Sequence, residues 1–246
     1  MTLSGSDPSG LMDARQVVLD QISSIVPIRL MTRDNGAVAV MTNSGEVMVD
    51  GPAAEYGFVS TPTIVADMTY DAGVLQGITR NGQPLSVDDG FGKFSGGSLA
   101  ASFNLRDQVL VDAQDSLDNM AADLMSRFED PTTDPTLVAG AAGLLTDAGA
   151  PYSSLNLVGL SARISANAAI DPAQGGSLSL LRDGIGAASA GPIGSEQQLS
   201  RWATSLSTPS TIDPSMPNLS ASGKMAAISS QLAGLNLIAD QELSFA

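Results

Sequence analysis

The sequence has 246 residues, of which 43% are apolar and only 15% are charged, so it can bury a core and is not a disordered acidic tail. The net charge of −15 argues against nucleic acids and anionic membrane surfaces as partners. The absence of Cys and His excludes disulfides and thiol nucleophiles, and it removes the usual ligands of zinc, copper and haem. No apolar stretch approaches the about 18 residues that a membrane-spanning helix needs, and the N-terminus lacks the features of a signal peptide.

The first predicted element is a helix over residues 1–26. Asp7-Pro8 is typical of a helix start, because proline is favoured in the first turn. Four apolar residues recur at the spacing of one helical face: Leu11, Val18, Ile22 and Ile25. Such a stripe needs another helix or a partner to cover it, and Pro27 is expected to end the helix.

A small β unit is predicted over residues 27–95. Its first β-rich runs are separated by Asp34-Asn35-Gly36 and Asn43-Ser44-Gly45, and Asn and Gly tolerate the positive φ of tight hairpin turns. These runs predict a three-stranded antiparallel meander. Two further strands and one turn are predicted downstream: Thr63–Tyr70, Val74–Thr79 and Asn81-Gly82.

The longest predicted helix covers about residues 98–129, between Gly96-Gly97 and Asp130-Pro131. Apolar residues repeat on it every seven positions: Phe103, Leu110, Leu117 and Leu124. A repeat of seven is typical of the seam of a helical bundle or coiled coil. We therefore expect these four side chains to be buried against the apolar faces of the first and last helices.

Residues 96–246 are predicted to be helical, with loops at 130–157 and 207–218. Short helices are expected over Gly159–Ile170 and near Ser177, and a further one begins at Ser195, which has capping-box spacing to Gln198. The last helix runs from about Ser220 to the end of the chain. Its apolar stripe includes Met225, Ile228, Leu232 and Leu235.

The predicted fold class is α+β: an elongated bundle of long amphipathic helices, with a small antiparallel β unit inserted between the first two long helices. We expect residues 1–246 to form one domain. The predicted packing seam consists of Phe103, Leu110, Leu117, Leu124, Met225 and Leu232.

No pattern in the sequence predicts a catalytic residue, a cofactor site or a metal site. Asp112, Asp115 and Asp118 are three residues apart on the long helix, whereas calcium loops place carboxylates at alternate positions around a glycine turn. We interpret them as a solvated face. Lys93 and Lys224 are the only lysines, and neither follows a Ser by three residues as a Ser–Lys pair requires. The sequence therefore indicates a protein that acts by packing and is not an enzyme.

Four segments carry a resemblance to a known family. The segment GGSLAASFNLRDQVLVDAQDSLDNMAADLMSRF, from Gly96, has Gly-Gly, Arg106-Asp107 and a long helix with Leu117-Asp118, Ala121 and Leu124. The others are DPSGLMDARQVVLDQISSIV, GLLTDAG and NAAIDPAQGGSLSLLRDGIGAA. Taken in their order along the chain, the four segments resemble the flagellar hook-associated protein 1 family, the hook–filament junction protein, and the last of them is similar to α-proteobacterial members.

The chain departs from the family pattern in places. Gln16 replaces the usual Asp, and Glu129-Asp130 stands where the family has Asn. Only about ten residues separate Gly149 from the next predicted helix, so the β domain that many members insert here is expected to be missing. The resemblance also implies that the terminal helices of the family lie outside this chain, and that the chain is a core fragment.

The resemblance implies a structural component of the bacterial flagellum that joins hook to filament by subunit packing. Its implied partners are neighbouring axial subunits, namely the hook subunit, the second junction protein and further copies of itself. An export chaperone would bind a terminal segment absent here. The expected location is extracellular, after export without a cleaved signal peptide, and the fragment is expected to be monomeric. The alternatives are another axial subunit, of hook or rod type, and a surface-binding or adhesion module.

Overall fold

The computed structural model describes residues 9–34, 36–85, 94–211 and 218–244. The described residues form two compact units. The first unit lies within Met1–Ile64, Met68–Val111 and Glu242–Ala246, and the second lies within Val65–Asp67 and Asp112–Gln241. Several predicted features lie outside the described residues: Asp7-Pro8, Asn35, Lys93 and residues 212–217 of the loop predicted at 207–218. No helix among the described residues is long and apolar enough to cross a membrane.

The first unit begins with α1 (Ser9–Ile25) and a three-stranded antiparallel sheet. The strands β1 (Ile28–Thr32), β2 (Val38–Thr42) and β3 (Val47–Val49) follow one another in the order of the chain, which confirms the predicted meander. Gly45, in the turn between β2 and β3, has a φ of 94°, a conformation that glycine adopts without steric cost.

A second small sheet follows, but not where the sequence predicts strands. It is formed by β4 (Tyr56–Gly57), β5 (Thr79–Arg80) and β6 (Gln83–Pro84). The predicted strand Thr63–Tyr70 is wrong. In the predicted strand Val74–Thr79, only the last residue, Thr79, belongs to a strand.

Local hydrogen bonds explain this difference. The hydroxyl of Thr69 accepts from the N–H of Ala72 at 3.0 Å, and its carbonyl accepts from Val74 and Leu75 at 3.4 Å. Such local bonds give the backbone an alternative to a strand ladder. The predicted turn at Asn81-Gly82 is confirmed, with φ of 50° and 77°.

The long helix is continuous but not uniform. It comprises α2 (Gly97–Asn104), a π-helical segment (Leu105–Val109) and α3 (Leu110–Glu129). The predicted extent of 98–129 is therefore confirmed, whereas its predicted uninterrupted α-helical geometry is wrong.

The second unit contains short elements where a longer helix is predicted. The strand β7 (Leu145–Asp147) pairs with β8 (Ile164–Ala166), and α4 (Leu160–Arg163) lies between them in the chain. The predicted helix Gly159–Ile170 is therefore wrong beyond its first turn. The reason is long-range pairing, because the backbone of Ile164–Ala166 bonds to β7 instead of continuing the helix.

Three further α-helices follow in the second unit: α5 (Ser179–Asp183), α6 (Gln197–Ser207) and α7 (Ala221–Ser244), of which the last residues, from Glu242, are counted with the first unit. The predicted capping box at the start of α6 does not form. The residue before the helix is Glu196, without a side-chain capping bond, and the buried Gln198 amide donates to the Thr133 carbonyl at 2.7 Å.

The core of the second unit has two clusters around α3. One contains Ala121, Ala122, Met125 and Leu160, and the other contains Met120, Ala221 and Ile228. The chain combines α-helices with small antiparallel sheets, which agrees with the predicted α+β class.

Candidate functional site

The predicted seam on the long helix is buried at one of its four positions. Phe103 is buried and Leu124 is half-buried, but Leu110 and Leu117 expose 56% and 39% of their surface. The residues that α3 buries instead include Asp118 and others one position later in the repeat. The predicted burial of Leu110 and Leu117 is therefore wrong.

The part of the seam on the last helix is also only partly correct. Leu232 and Leu124 are partly buried and pack against the cluster of Met120, Ala221 and Ile228. Met225 is exposed, so its predicted burial is wrong. The neighbouring Lys224 is buried in its place, where it pairs with Asp123.

Three of the four residues in the apolar stripe of α1 are exposed, and the fourth, Ile22, is half-buried. Leu11, Val18 and Ile25 expose 75%, 52% and 50% of their surface, and Leu19 is the one residue of this described helix that is buried. The C-terminal end of the helix borders an apolar recess of about 210 Å³. Its lining comes from α1, the first sheet and the start of α2: Ile22, Ile25, Val26, Met48, Tyr56, Ile78, Phe94 and Leu99.

Tyr56, in the wall of this recess, has its hydroxyl tied to a buried carboxylate. It donates to Glu46 at 3.0 Å, and Arg80 pairs with the same Glu46 oxygen at 3.1 Å. Burial, together with the hydrogen bond and charge of Glu46, raises the pKa of Tyr56 to about 12. The phenol therefore stays neutral and serves as a structural donor.

Arg106 and Asp107 form a two-point ion pair in the π-helical segment. The Arg106 Nε lies 2.6 Å from Asp107 Oδ1, and its Nη2 lies 2.8 Å from Oδ2. The same guanidinium lies 4.7 Å from the ring centre of Phe103 and 5.9 Å from that of Phe58, and it donates to the Gln76 carbonyl at 3.1 Å. This geometry stabilises a local backbone arrangement and offers no free group for catalysis.

Asp118 is not part of a solvated face, contrary to the prediction. It is 1% exposed, and it accepts the N–H groups of Gly159 at 2.6 Å and Ser161 at 2.7 Å. It thus satisfies the free N–H groups at the start of α4. Asp112 and Asp115 remain exposed as predicted. Within the described residues, no group of three or more His, Cys, Asp or Glu could hold a metal ion.

Three buried charged groups of the second unit form a cluster, which we call the buried charge cluster: Asp123, Arg127 and Lys224. Arg127 Nε donates to Asp123 Oδ2 at 2.7 Å, and Lys224 Nζ donates to Oδ1 at 3.1 Å. The cluster joins α3 to the first turn of α7. The sequence patterns above do not predict this cluster, although an Asp and an Arg four residues apart on a helix are a signal for such a pair.

Arg127 also binds the main chain at both ends of the loop between α6 and α7. Its Nη1 donates to the carbonyls of Ser205 and Thr208, the latter at 2.7 Å, and its Nη2 donates to Leu219 at 3.2 Å. Carbonyls at a helix C-terminus lack partners within the helix and favour a cation. Arg127 therefore holds the end of α6 next to the beginning of α7.

The ionised state of Asp123 is favoured by its neighbours. Burial by itself would raise the pKa of Asp123, but hydrogen bonds from Ser210, Arg127 and Lys224 outweigh burial and lower it below its ordinary value. The cluster thus carries one negative and two positive charges.

Three other acidic side chains anchor loops of the second unit. Asp134, fully buried, accepts the N–H of Ile185 at 2.8 Å, and Asp183 accepts that of Gly191 at 3.0 Å. Asp147 forms a salt bridge of 2.7 Å with the arginine at the end of α4. The acidic residues of this unit therefore serve as loop anchors as well as surface charges.

The Gly-Gly pair before α2 is required by a close backbone contact. Gly96 and Gly97 have φ of 86° and 73°, and a Cβ on Gly97 would meet the carbonyl of Ile25. Ser98 donates to the Ser24 carbonyl at 3.3 Å at the same junction. The pair lets α2 start directly against the end of α1.

Glu129, the departure from the family pattern, has a defined role. Its Oε1 accepts the N–H of Tyr152 at 2.8 Å. Burial raises the pKa of Glu129, and backbone bonds from Tyr152 and Gly143 oppose this only in part. A carboxylate here fastens the segment after α3 to the end of that helix.

Comparison with known proteins agrees with these motifs. A family model described as the flagellar hook-associated protein FlgK helical domain matches residues 1–144, which is more than half of the 246 residues. No curated protein and no solved structure matches the chain. The matched region holds the Gly-Gly pair, Arg106-Asp107 and the whole of α3. The chain therefore belongs to the flagellar hook-associated protein FlgK family and is a structural component of the flagellar hook–filament junction.

Proposed function

We propose that this chain joins hook to filament by packing the exposed apolar stripe of α1 against neighbouring axial subunits. The subunits in question are the hook subunit, the second junction protein and further copies of this chain. One observation carries the proposal: Leu11, Val18 and Ile25 are spaced by seven residues and are all exposed.

This spacing fits a helical partner. Side chains seven residues apart form a line along an α-helix, and helices pack along such lines. Exposed apolar rows on soluble proteins mark interaction sites more often than scattered single residues do. Burial of such a row stabilises an assembly by roughly 25 cal/mol per Å² of apolar surface, before the cost of association is subtracted.

The test compares two matched substitutions in the protein that carries these residues. Val18→Glu places a charge in the stripe, and Val138→Glu places the same charge at an exposed valine of the second unit. Both variants should keep the circular dichroism spectrum of the parent chain. In a strain that lacks the gene, we expect Val138→Glu to restore filaments and swimming, and Val18→Glu to leave hooks without filaments.

If both variants restored filaments and swimming equally, the stripe would not be part of the contact between subunits. Failure of both would indicate sensitivity to any added charge, which also contradicts the proposal. Loss of the folded spectrum in Val18→Glu alone would show that the stripe is needed within the chain and not between subunits.

The remaining features of the proposal concern the whole protein. We propose that residues 1–246 act in the assembled flagellum as one axial core domain, an elongated helical bundle with the β unit inserted between its first two long helices. The protein would be exported without a cleaved signal peptide and with the help of a chaperone. We propose no catalytic activity, in keeping with a structural family and a chain without His or Cys.

A further inference from the structure

The apolar recess beside α1 lies at one end of the exposed stripe. Eight described residues line it, all of them in the first unit, and Ile25 belongs both to this lining and to the stripe. Ile25 exposes 50% of its surface, whereas Val26 and Phe94 in the same lining expose 3% each. The recess therefore has a buried floor and an exposed rim, and the rim continues the stripe.

The volume of the recess suits a single apolar side chain. It is about 210 Å³, whereas pockets that hold small-molecule ligands have volumes of about 300–1,000 Å³. An apolar cavity of about 150 Å³ lined by Leu, Ile and Phe stays dry and binds benzene. The recess is therefore large enough for a phenylalanine ring or a leucine side chain, and it is small for a free metabolite.

The chemistry of the lining also favours an apolar occupant. Among the described lining residues only Tyr56 has a side-chain hydroxyl, and this hydroxyl already donates to Glu46 at 3.0 Å. The Tyr56 ring packs edge-on against that of Phe94, with the ring centres 5.1 Å apart. Rings in such a pair contact further apolar or aromatic groups favourably. The described lining thus offers packing contacts and no free hydroxyl for a polar ligand.

We propose that the recess holds one apolar side chain, of phenylalanine or leucine size, from the helix of a neighbouring axial subunit that packs along α1. This inference rests on the proposed function of the stripe. Leu11 and Ile25 are 14 residues apart, which is about 21 Å along an α-helix, so a partner helix that covers both ends of the stripe reaches the rim of the recess. Interfaces draw most of their binding energy from a few anchors in desolvated pockets, and the recess is such a pocket.

Benzene tests whether the recess takes up an apolar group. Titrated into the full chain, it should shift the methyl NMR signal of Met48, a lining residue, until the recess is saturated. Ile78→Phe and Leu99→Phe enlarge half-buried lining side chains, so both should abolish this shift while keeping or raising the thermal midpoint of the chain. Ile64→Phe, at an exposed residue of the first unit outside the described lining, is the matched control and should keep the shift.

Assembly then tests whether the occupant comes from another subunit. In a strain that lacks the gene, Ile64→Phe should restore filaments and swimming. Ile78→Phe and Leu99→Phe should leave hooks without filaments, because the loss of an anchor contact weakens binding by about 30-fold or more.

The failure of this inference can be distinguished from the failure of the proposed function. If the two filling variants restored filaments as well as Ile64→Phe does, the recess would hold no partner side chain, even where Val18→Glu still fails and the stripe remains a contact. If Val18→Glu restored filaments, the proposed function would be wrong, and this inference would be wrong with it. A Met48 signal that benzene does not shift in the parent chain would show that the recess has no space for such a group. Loss of the folded spectrum in both filling variants would show the same.

Discussion

The buried charge cluster predicts an asymmetry between two substitutions. Asp123 is its only anion, and it faces two cations, Arg127 and Lys224, in a site that solvent does not reach. Asp123→Ala leaves both cations buried without a counter-charge. Breaking a buried pair in this way costs about 3–5 kcal/mol, which is a large share of the about 5–15 kcal/mol that stabilises a typical domain.

Lys224→Met has a different expected result. It removes the surplus positive charge and leaves Asp123 and Arg127 as a balanced pair joined at 2.7 Å. Methionine has an unbranched chain of similar length and no charge to desolvate, and replacing buried charges by apolar groups is often neutral or stabilising. We therefore expect a change within about 1 kcal/mol in the free energy of unfolding.

Urea unfolding followed by tryptophan fluorescence provides the measurement. Trp202, on α6 in the second unit, is the single tryptophan of the chain. Its ring packs edge-on against that of Phe128, with the ring centres 6.2 Å apart, so its emission reports on the folding of this unit. Asp115→Ala, at an exposed aspartate of the same helix, is the matched control and should leave the midpoint unchanged. A cost for Lys224→Met as large as that for Asp123→Ala would refute the charge count, because the lysine would then be a required partner and not a surplus cation.

The remaining predictions concern acid, packing, backbone and mass. Because folding lowers the pKa of Asp123, its carboxylate contributes to the free energy of unfolding above the ordinary aspartate pKa of about 3.9, and this contribution is lost as the pH falls through the lowered pKa. Trp202 emission should therefore show acid unfolding in that pH range. Unchanged stability in that range would contradict the prediction. Met125→Ala should cost about 2–5 kcal/mol and Leu117→Ala clearly less, as the two burials differ; equal urea midpoints would contradict this. Gly97→Ala should destabilise the first unit, since a Cβ would meet a carbonyl at positive φ, whereas its control at Gly10, with open space around it, should be tolerated in thermal melts. Sedimentation of the chain should give the mass of one copy, because a charge of −15 per copy opposes contact at low salt; a dimer that persists on dilution would contradict this.

The local parts of the fold were predictable from the sequence because their signals are local. The meander depends on turns whose Asn and Gly residues accept positive φ, and Gly45 and Asn81-Gly82 have such values. The segment from Gly159 to Ile170 shows the limit of this reasoning. Its apolar spacing suits a helix, but bonding to β7, far away in the chain, decides its conformation.

The seam on the long helix was only partly predictable, for a geometric reason. A repeat of seven identifies one face only if the helix keeps 3.6 residues per turn throughout. The π-helical segment Leu105–Val109 does not meet that condition, and the spacing of the leucines does not predict it. The Arg106-Asp107 pair was visible in the sequence, but its contacts with Gln76 and Phe58 depend on the tertiary fold.

The acidic composition had the least predictable consequence. A surplus of carboxylates suggests a solvated surface, and Asp112 and Asp115 agree with that interpretation. Asp118 and Asp134 do not, because they are buried and bind backbone N–H groups of segments more than 40 residues away in the chain. Short side chains with two acceptor oxygens suit a unit that has many loops and short elements, since each loop end leaves N–H groups that an apolar core cannot satisfy. The second unit has few aromatic residues and a small apolar core around α3. Carboxylates that bind backbone N–H groups therefore supply the contacts that fix its loops to this core.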